Sequence, residues 1–427
     1  MTDRIWLKSY PPGVSSDIDV TRYASMVAMM EESFKKFADR PAYSFMGKEQ
    51  SYKQVDELSQ TFGVYLQSLG LAKGDRVAVM MPNVLQYPIA VAGILRAGYT
   101  LVNVNPLYTA RELEHQLKDS GAKAIVILEN FAATLEKCLA ATPVKHIVLC
   151  AMGDQLGLLK GTLVNYVVRN VKKMVPVFNL PTAVRFNAAI AKASGGSLKK
   201  PVIKPDDVAV LQYTGGTTGI SKGAVLLQRN LVANLLQTDD WFDPALKKIP
   251  AGEQMNVVCA LPLYHIFAFT VGMMLSLRTG GKLILIPNPR DFPAVLSELA
   301  KHKVHFFPAV NTLFNALANH TDFGKVNWSH LLVSAGGGTA VQSAVAKLWL
   351  EKTGCSIVEG YGLSETSPIA TANPVIGVEF SGAIGLPVPS TWLKLLDDNG
   401  NEVPVGQSGE IAIKGPQVMA GYWQRPD

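Results

Sequence analysis

The sequence predicts an α/β protein with two parallel-sheet α/β subdomains and a small β-barrel subdomain, and three observations carry that reading. From Arg76 the chain alternates a strand (RVAVMMPN), an apolar helix-like stretch from Val84 to Arg96, a short strand (TLVNVN), a helix-like RELEHQLKDSG and a strand (AKAIVIL). Such alternation lays parallel strands side by side and covers their faces with helices. A second alternation begins at VAVLQYTGG and takes in the helix-like QRNLVANLLQ and the strands NVVCALP, KLILIP, HFFPAV and LLVSAGGG. It closes with the helix-like AVQSAVAKLWLEKTG and the strand SIVEGYG. Beyond about Gly385 the texture changes to short strands and turns, with Asn399-Gly400 as a strong turn signal. The predicted divisions are therefore 1–205, 206–385 and 386–427.

At 427 residues, 48% hydrophobic and 17% charged, the chain can bury more than one core and does not have a disordered composition. Cys138, Cys150, Cys259 and Cys355 are widely spaced, with no CxxC pair and no histidine at metal-ligand spacing. They read as reduced core residues of a cytoplasmic protein. MTDRIWLKSYPPG has no apolar core of a signal peptide, so neither export nor an N-terminal anchor is expected.

The net charge of +6 is uneven, because Gln155 to Pro205 holds nine Lys or Arg and no acid. Within it, apolar clusters alternate with Arg169, Lys172 and Lys173. That pattern suits peripheral contact with the anionic inner face of a membrane, and equally a solvated face over a core helix. The segment carries no nucleic-acid module and no evident stacking platform. Val257 to Leu277 has 21 residues without an acid, Lys or Arg, which is long enough to span a bilayer. Pro262 and His265 interrupt it, however, and it reads as a buried strand, a loop and a core helix.

The most informative stretch is YTGGTTGISKG, from Tyr213 to Gly223. Glycines at 215, 216 and 219 let bare N–H groups approach phosphate oxygens, the hydroxyls of Thr214, Thr217, Thr218 and Ser221 add donors, and Lys222 supplies a mobile charge. It is not the common P-loop, which needs glycine immediately before the lysine, where Ser221 stands here. Two further glycine-rich sites follow. VSAGGGTAV places Gly336, Gly337 and Gly338 at a strand end, where a base could lie against bare backbone or the chain could simply turn. VEGYGLSETSP, from Val358 to Pro368, sets Glu365 in a glycine-flanked turn.

Together these strings resemble the adenylate-forming superfamily, which includes acyl-CoA synthetases, adenylation domains of peptide synthetases and luciferases. NVLQYPIAVAGILRAG, VNVNPLYTARELEHQLKDSGAKAIV, SGAIGLPVPSTWLKLLDD and GEIAIKGPQVMAGYW extend the resemblance over nearly the whole chain, toward bacterial long-chain fatty acid CoA ligases. The resemblance implies ATP, Mg²⁺ and CoA as cosubstrate, with a fatty acid as substrate. It assigns the nucleotide to Tyr213, Thr214, Gly215, Gly216, Thr217, Thr218, Gly219 and Lys222, to Gly336–Gly338, and to Glu359, Gly360, Tyr361, Gly362 and Ser364. Glu365 is the implied metal ligand, and Thr214, Lys222, His265 and Glu365 are expected to act in the chemistry. His265, in ALPLYHIFAFTVG, matches the acid-binding motif; the neighbouring Tyr264, Phe267 and Phe269 could shape an acyl site or belong to the core. A homodimer is compatible with the sequence.

One departure stands at the end of the chain. The family's TGD segment, hinge and small C-terminal domain with a second lysine are expected after Trp423, and the 427 residues do not contain them. As given, the chain is expected to bind nucleotide poorly and to adenylate slowly or not at all.

Overall fold

The computed structural model describes residues 4–215, 220–377 and 379–426. Two large sheets organise them, and the apolar runs read from the sequence supply the central strands. Ala124–Leu128, AIVIL, is buried at every position, as a parallel strand covered on both faces must be. Across one sheet the order is Val184–Arg185, His146–Cys150, Ala124–Leu128, Arg76–Met80, Thr100–Asn103, Val208–Tyr213 and Gly223–Leu227. All these pairs are parallel except the last, which is an antiparallel hairpin around the Tyr213–Gly223 loop.

The other sheet has nine strands. Its parallel centre is Ile357–Gly362, Val333–Gly336, Phe306–Ala309, Asn256–Cys259, Lys282–Leu285 and Pro41–Phe45. Antiparallel strands finish both edges: Lys48–Ser51 at one, Ile369–Ala372 and Leu386–Pro387 at the other.

The sheets do not follow the chain order read from the sequence. Val208–Tyr213 and Gly223–Leu227 complete the first sheet from beyond residue 205, and Pro41–Phe45 joins the second from the N-terminal part. The expected small barrel is instead a two-stranded antiparallel sheet among the described residues, Trp392–Leu396 with Glu410–Lys414. Both strands are largely solvent-accessible, so no enclosed interior drives closure.

Local chemistry sets the helices. Thr109 accepts from the Glu112 N–H, Glu112 returns a bond to the Thr109 N–H, and Gly121 ends Ala110–Ser120 at φ 62°. Val257 to Leu277 is a buried strand, a loop and a buried helical run, and no helix among the described residues is long and apolar enough to cross a membrane. All four cysteines are buried and free.

Candidate functional site

A cavity of about 820 Å³ opens where the carboxyl ends of Val208–Tyr213, Val333–Gly336 and Ile357–Gly362 converge. In α/β sheets, ligands bind in crevices of this kind, because side chains and loops at strand ends are free of the ladder. Tyr213, Thr214, Gly215, Lys222, His265, Gly336–Gly338, Glu359–Gly362, Ser364 and Glu365 all line it. Gly216, Thr217, Thr218 and Gly219 lie outside the described residues.

The base of the phosphate-type loop is tied shut. Thr214 N–H donates to the Lys222 carbonyl at 3.0 Å, and Ser221 Oγ donates to the Thr214 carbonyl at 2.6 Å. His115 Nε2 meets the Ser221 carbonyl at 3.0 Å, and the Tyr213 hydroxyl donates to Asp119 Oδ2 at 2.6 Å. Gly223 suits the close return of the hairpin, since a Cβ there would sit 3.1 Å from the Tyr213 ring and press it aside. Ser221 and Tyr213 therefore act in the loop's scaffold, and Lys222 lines the cavity beside them.

Opposite, packing explains the glycine triplet in part. A Cβ on Gly336 would be 2.7 Å from Val341, one on Gly337 would be 3.0 Å from Phe267, and Gly338 holds φ 77°. Glu359 Oε1 accepts from the Val341 N–H at 2.8 Å, while its buried Oε2 has no hydrogen-bond partner among the described residues. An acceptor left open in this wall is suited to a polar ligand group.

Ser364–Thr366 forms a single helical turn that turns Glu365 toward Lys222's side of the cavity. The Glu365 carbonyl accepts from the Met419 N–H at 2.8 Å, which fixes the turn, and Glu365 Oε1 accepts from the Tyr422 hydroxyl at 2.5 Å. The Tyr422 ring lies 5.3 Å from Lys222 Nζ. Bonding to Glu365, then burial, pushes the Tyr422 pKa up to about 12, so this hydroxyl stays a donor. Tyr422 belongs to the quoted GYW string but was not singled out from the sequence; the aromatic in that string is the signal that could have found it. Oxygen donors dominate this wall, from Glu365 and the hydroxyls of Ser364 and Thr214, and a hard divalent cation prefers such a set.

His265 lines the cavity and keeps a solvent-exposed surface, and partial desolvation within the cleft lowers its pKa below the ordinary histidine value. It is thus neutral near pH 7. Among its aromatic neighbours only Phe267 lines the cavity, joined from other elements by Phe242 and Val271. Phe269 is fully buried core, and the Tyr264 carbonyl accepts from Gln212.

Two other clusters resolve structurally. Glu253, His305 and His330 converge, but His305 Nδ1 accepts the Asn256 N–H, so Nε2 is the protonated nitrogen that donates to Glu253, whose other oxygen holds Lys303. Arg169, expected as a free surface cation, is bonded at 2.7 and 2.9 Å to the buried carboxylate of Glu129, which also takes Arg185 at 2.6 Å. A lone buried carboxylate attracts such partners strongly.

The family profile for AMP-binding enzymes matches residues 30–423. A long-chain-fatty-acid–CoA ligase of Escherichia coli O6:H1 is 53% identical over 425 residues, which cover 99% of this chain and 75% of that protein. One from Bacillus subtilis is 33% identical, with 99% of this chain and 74% of that protein covered. In three dimensions the chain is similar to a long-chain-fatty-acid-CoA ligase from Archaeoglobus fulgidus, with TM-score 0.80, 25% identity, and 97% and 79% of the two chains covered. An anthranilate CoA ligase bound to anthranoyl-AMP shares the fold, with TM-score 0.81, 22% identity, and 96% and 73% covered. The match across almost the whole chain places this protein in the AMP-binding enzyme family, within the adenylate-forming superfamily.

Proposed function

We propose that the protein is a long-chain-fatty-acid CoA ligase, an acid–thiol ligase that activates its acid as the acyl adenylate. The observation that carries this reading is one cavity lined by Lys222, Glu365, Glu359 and the glycine triplet together with the apolar side chains of Phe242, Phe267 and Val271. In the reaction a carboxylate oxygen attacks the α-phosphorus and pyrophosphate leaves; the CoA thiolate then attacks the acyl carbonyl and AMP leaves. The chain's contribution is charge neutralisation and alignment, since both nucleophile and phosphate are anionic. Lys222 and the loop at Thr214–Lys222 would hold the phosphates, and Glu359, Tyr361 and the glycine triplet would hold the base. Neutral His265 would orient the carboxylate beside the apolar side chains without competing as a cation. Mg²⁺, when bound at Glu365 with Ser364 nearby, screens phosphate charge.

The aligned stretch covers 75% of the Escherichia coli relative and 74% of the Bacillus subtilis one. On this reading the protein binds ATP and adenylates a fatty acid. The test is palmitate-dependent pyrophosphate release from ATP and Mg²⁺, followed over hours beside calorimetric ATP binding, with Glu365→Ala expected to abolish release. Absence of both ATP binding and release would end this reading.

A second feature favours contact with an anionic membrane surface. Leu158–Tyr166 packs inward through Gly161, Val164 and Asn165, and its outer face exposes Leu159 (87%), Leu163 (63%) and Tyr166 (57%). Lys172 and Lys173 lie just beyond, exposed, and no acid occurs from 155 to 205. Salt-sensitive flotation with phosphatidylglycerol vesicles should fall when Lys172 and Lys173 become Ser. A second copy of the chain on the same face would instead appear as a dimer in sedimentation without vesicle binding.

A further inference from the structure

The cavity contains a lysine and a glutamate of opposite charge on neighbouring walls, and both are needed free if a polyphosphate and its cation are to bind. Left facing each other in a cleft of reduced dielectric, such groups attract more strongly than in bulk water and close on one another. Among the described residues no ion pair joins them; one tyrosine engages both. The Tyr422 hydroxyl donates to Glu365 at 2.5 Å, and the face of its ring meets Lys222 Nζ at 5.3 Å. A phenol is suited to this because it offers a donor to an anion and a π-face to a cation while carrying no charge itself.

The backbone fixes Tyr422 in that place. Ala420 and Val225 bond at 3.0 Å, Val225 N–H donates to the Gly421 carbonyl at 2.9 Å, and Trp423 N–H donates to the Gly223 carbonyl at 2.8 Å. Trp423 Nε1 then donates to the Asp119 carbonyl at 3.1 Å. The segment therefore lies as an added edge along Gly223–Leu227, one residue from Lys222, while Met419 is tied to the Glu365 carbonyl. Bonds on either side of Tyr422 leave its side chain one direction, across the mouth between the two charges.

We propose that Tyr422 is a positioning residue that keeps Lys222 and Glu365 from pairing with each other, so that each stays available to a polyphosphate and its cation. The proposal rests on the reading of Lys222 and Glu365 given above, and it assigns a role to a residue outside the phosphate loop and the glutamate turn. Binding of ATP would exchange a ring and a hydroxyl for phosphate and cation, with no ion pair to break first.

The test uses the 427-residue chain and metal-free ATP in EDTA, measured by calorimetry, with the melting temperature of each variant checked beforehand. Tyr422→Leu removes both the hydroxyl and the π-face, and Lys222 then falls to Glu365; binding should weaken roughly tenfold, the loss of one charge-assisted phosphate contact. Adding Glu365→Gln to Tyr422→Leu should restore binding, because no anion remains to capture the lysine. Tyr422→Phe keeps the ring between the charges and should lose less than Tyr422→Leu, about threefold. Should Tyr422→Leu melt early, Tyr422→Met serves the same comparison. Undiminished binding in Tyr422→Leu, or no recovery in the double variant, overturns the proposal, since a purely structural tyrosine would not be rescued at Glu365. Lys222→Ala in the otherwise unaltered chain separates the two levels of argument: no loss there overturns the phosphate-site reading, whereas a loss there with failed rescue overturns the role of Tyr422 alone.

Discussion

Replacing Gly362 by alanine should disable the glutamate turn while leaving the sheets standing. Gly362 pairs with Ile369 just past an irregularity in the antiparallel ladder, and a Cβ added there would be driven into the Pro368 carbonyl oxygen. The carbonyl carbon would be at 2.8 Å and Ile369 Cα at 3.2 Å. These neighbours are backbone, so no rotamer change relieves the clash. Overpacking of this sort costs about 1–3 kcal/mol. Relief must come from moving the strand end that carries Ser364 and Glu365; borne wholly by binding, the cost is a roughly 5- to 150-fold weaker complex. Calorimetry of ATP with Mg²⁺ measures it, and circular dichroism checks that the α/β signal persists. Gly324→Ala is the steric control, since nothing lies within 4 Å of a Cβ there. Wild-type affinity in Gly362→Ala, or an equal loss in Gly324→Ala, would refute the reasoning.

Three further outcomes follow from the packing and charges. Glu129→Gln removes the buried partner of Arg169 and Arg185; because both guanidinium groups are partly exposed, the cost should sit at the low end for a broken buried pair, about 3 kcal/mol in urea unfolding. Trp349→Ala empties the centre of a ring cluster, with Phe314 at 4.7 Å and Trp328 at 5.3 Å, and removes the indole donor to Ser334 Oγ; about 3–5 kcal/mol should be lost. His265 has a depressed folded pKa, so below about pH 6.5 the unfolded chain binds the extra proton and stability falls as pH drops toward the folded value. Melting at pH 7.5 and 5.5 should show a smaller difference in His265→Gln than in the wild type.

Much of the site was legible because its parts are local. Tyr213–Gly223, Gly336–Gly338 and Glu359–Glu365 are short strings whose glycines and hydroxyls encode turns at strand ends, and the cavity gathers the described members of all three. His265 was picked out through its motif alone, and its depressed pKa reflects desolvation in the cleft that no neighbour in sequence announces. Long-range partners were not legible. Tyr422 reaches Glu365 across 57 positions, and Arg169 finds Glu129 across 40, so composition alone left the arginine as a surface charge. The strands themselves were readable from apolar runs, but their sheet membership was not, because Pro41–Phe45 and Val208–Tyr213 pair with distant segments. At the C-terminal side, turn signals correctly marked short strands and overstated their closure into a barrel.

The N-terminal hairpin has a consequence for biosynthesis. Pro41–Phe45 is an inner strand of the nine-stranded sheet, and its parallel neighbour is Lys282–Leu285, with Tyr43 opposite Leu283. At about 5–20 residues per second, the ribosome makes Leu283 roughly 12 to 48 s after Tyr43. Throughout that interval an apolar strand that ends up buried has one unsatisfied edge, while the first sheet is completed only once Gly223–Leu227 has emerged. Residues 41–51 therefore wait for their parallel partner after the first sheet is complete, and slowing translation between residues 230 and 280 should raise aggregation more than slowing it after 290.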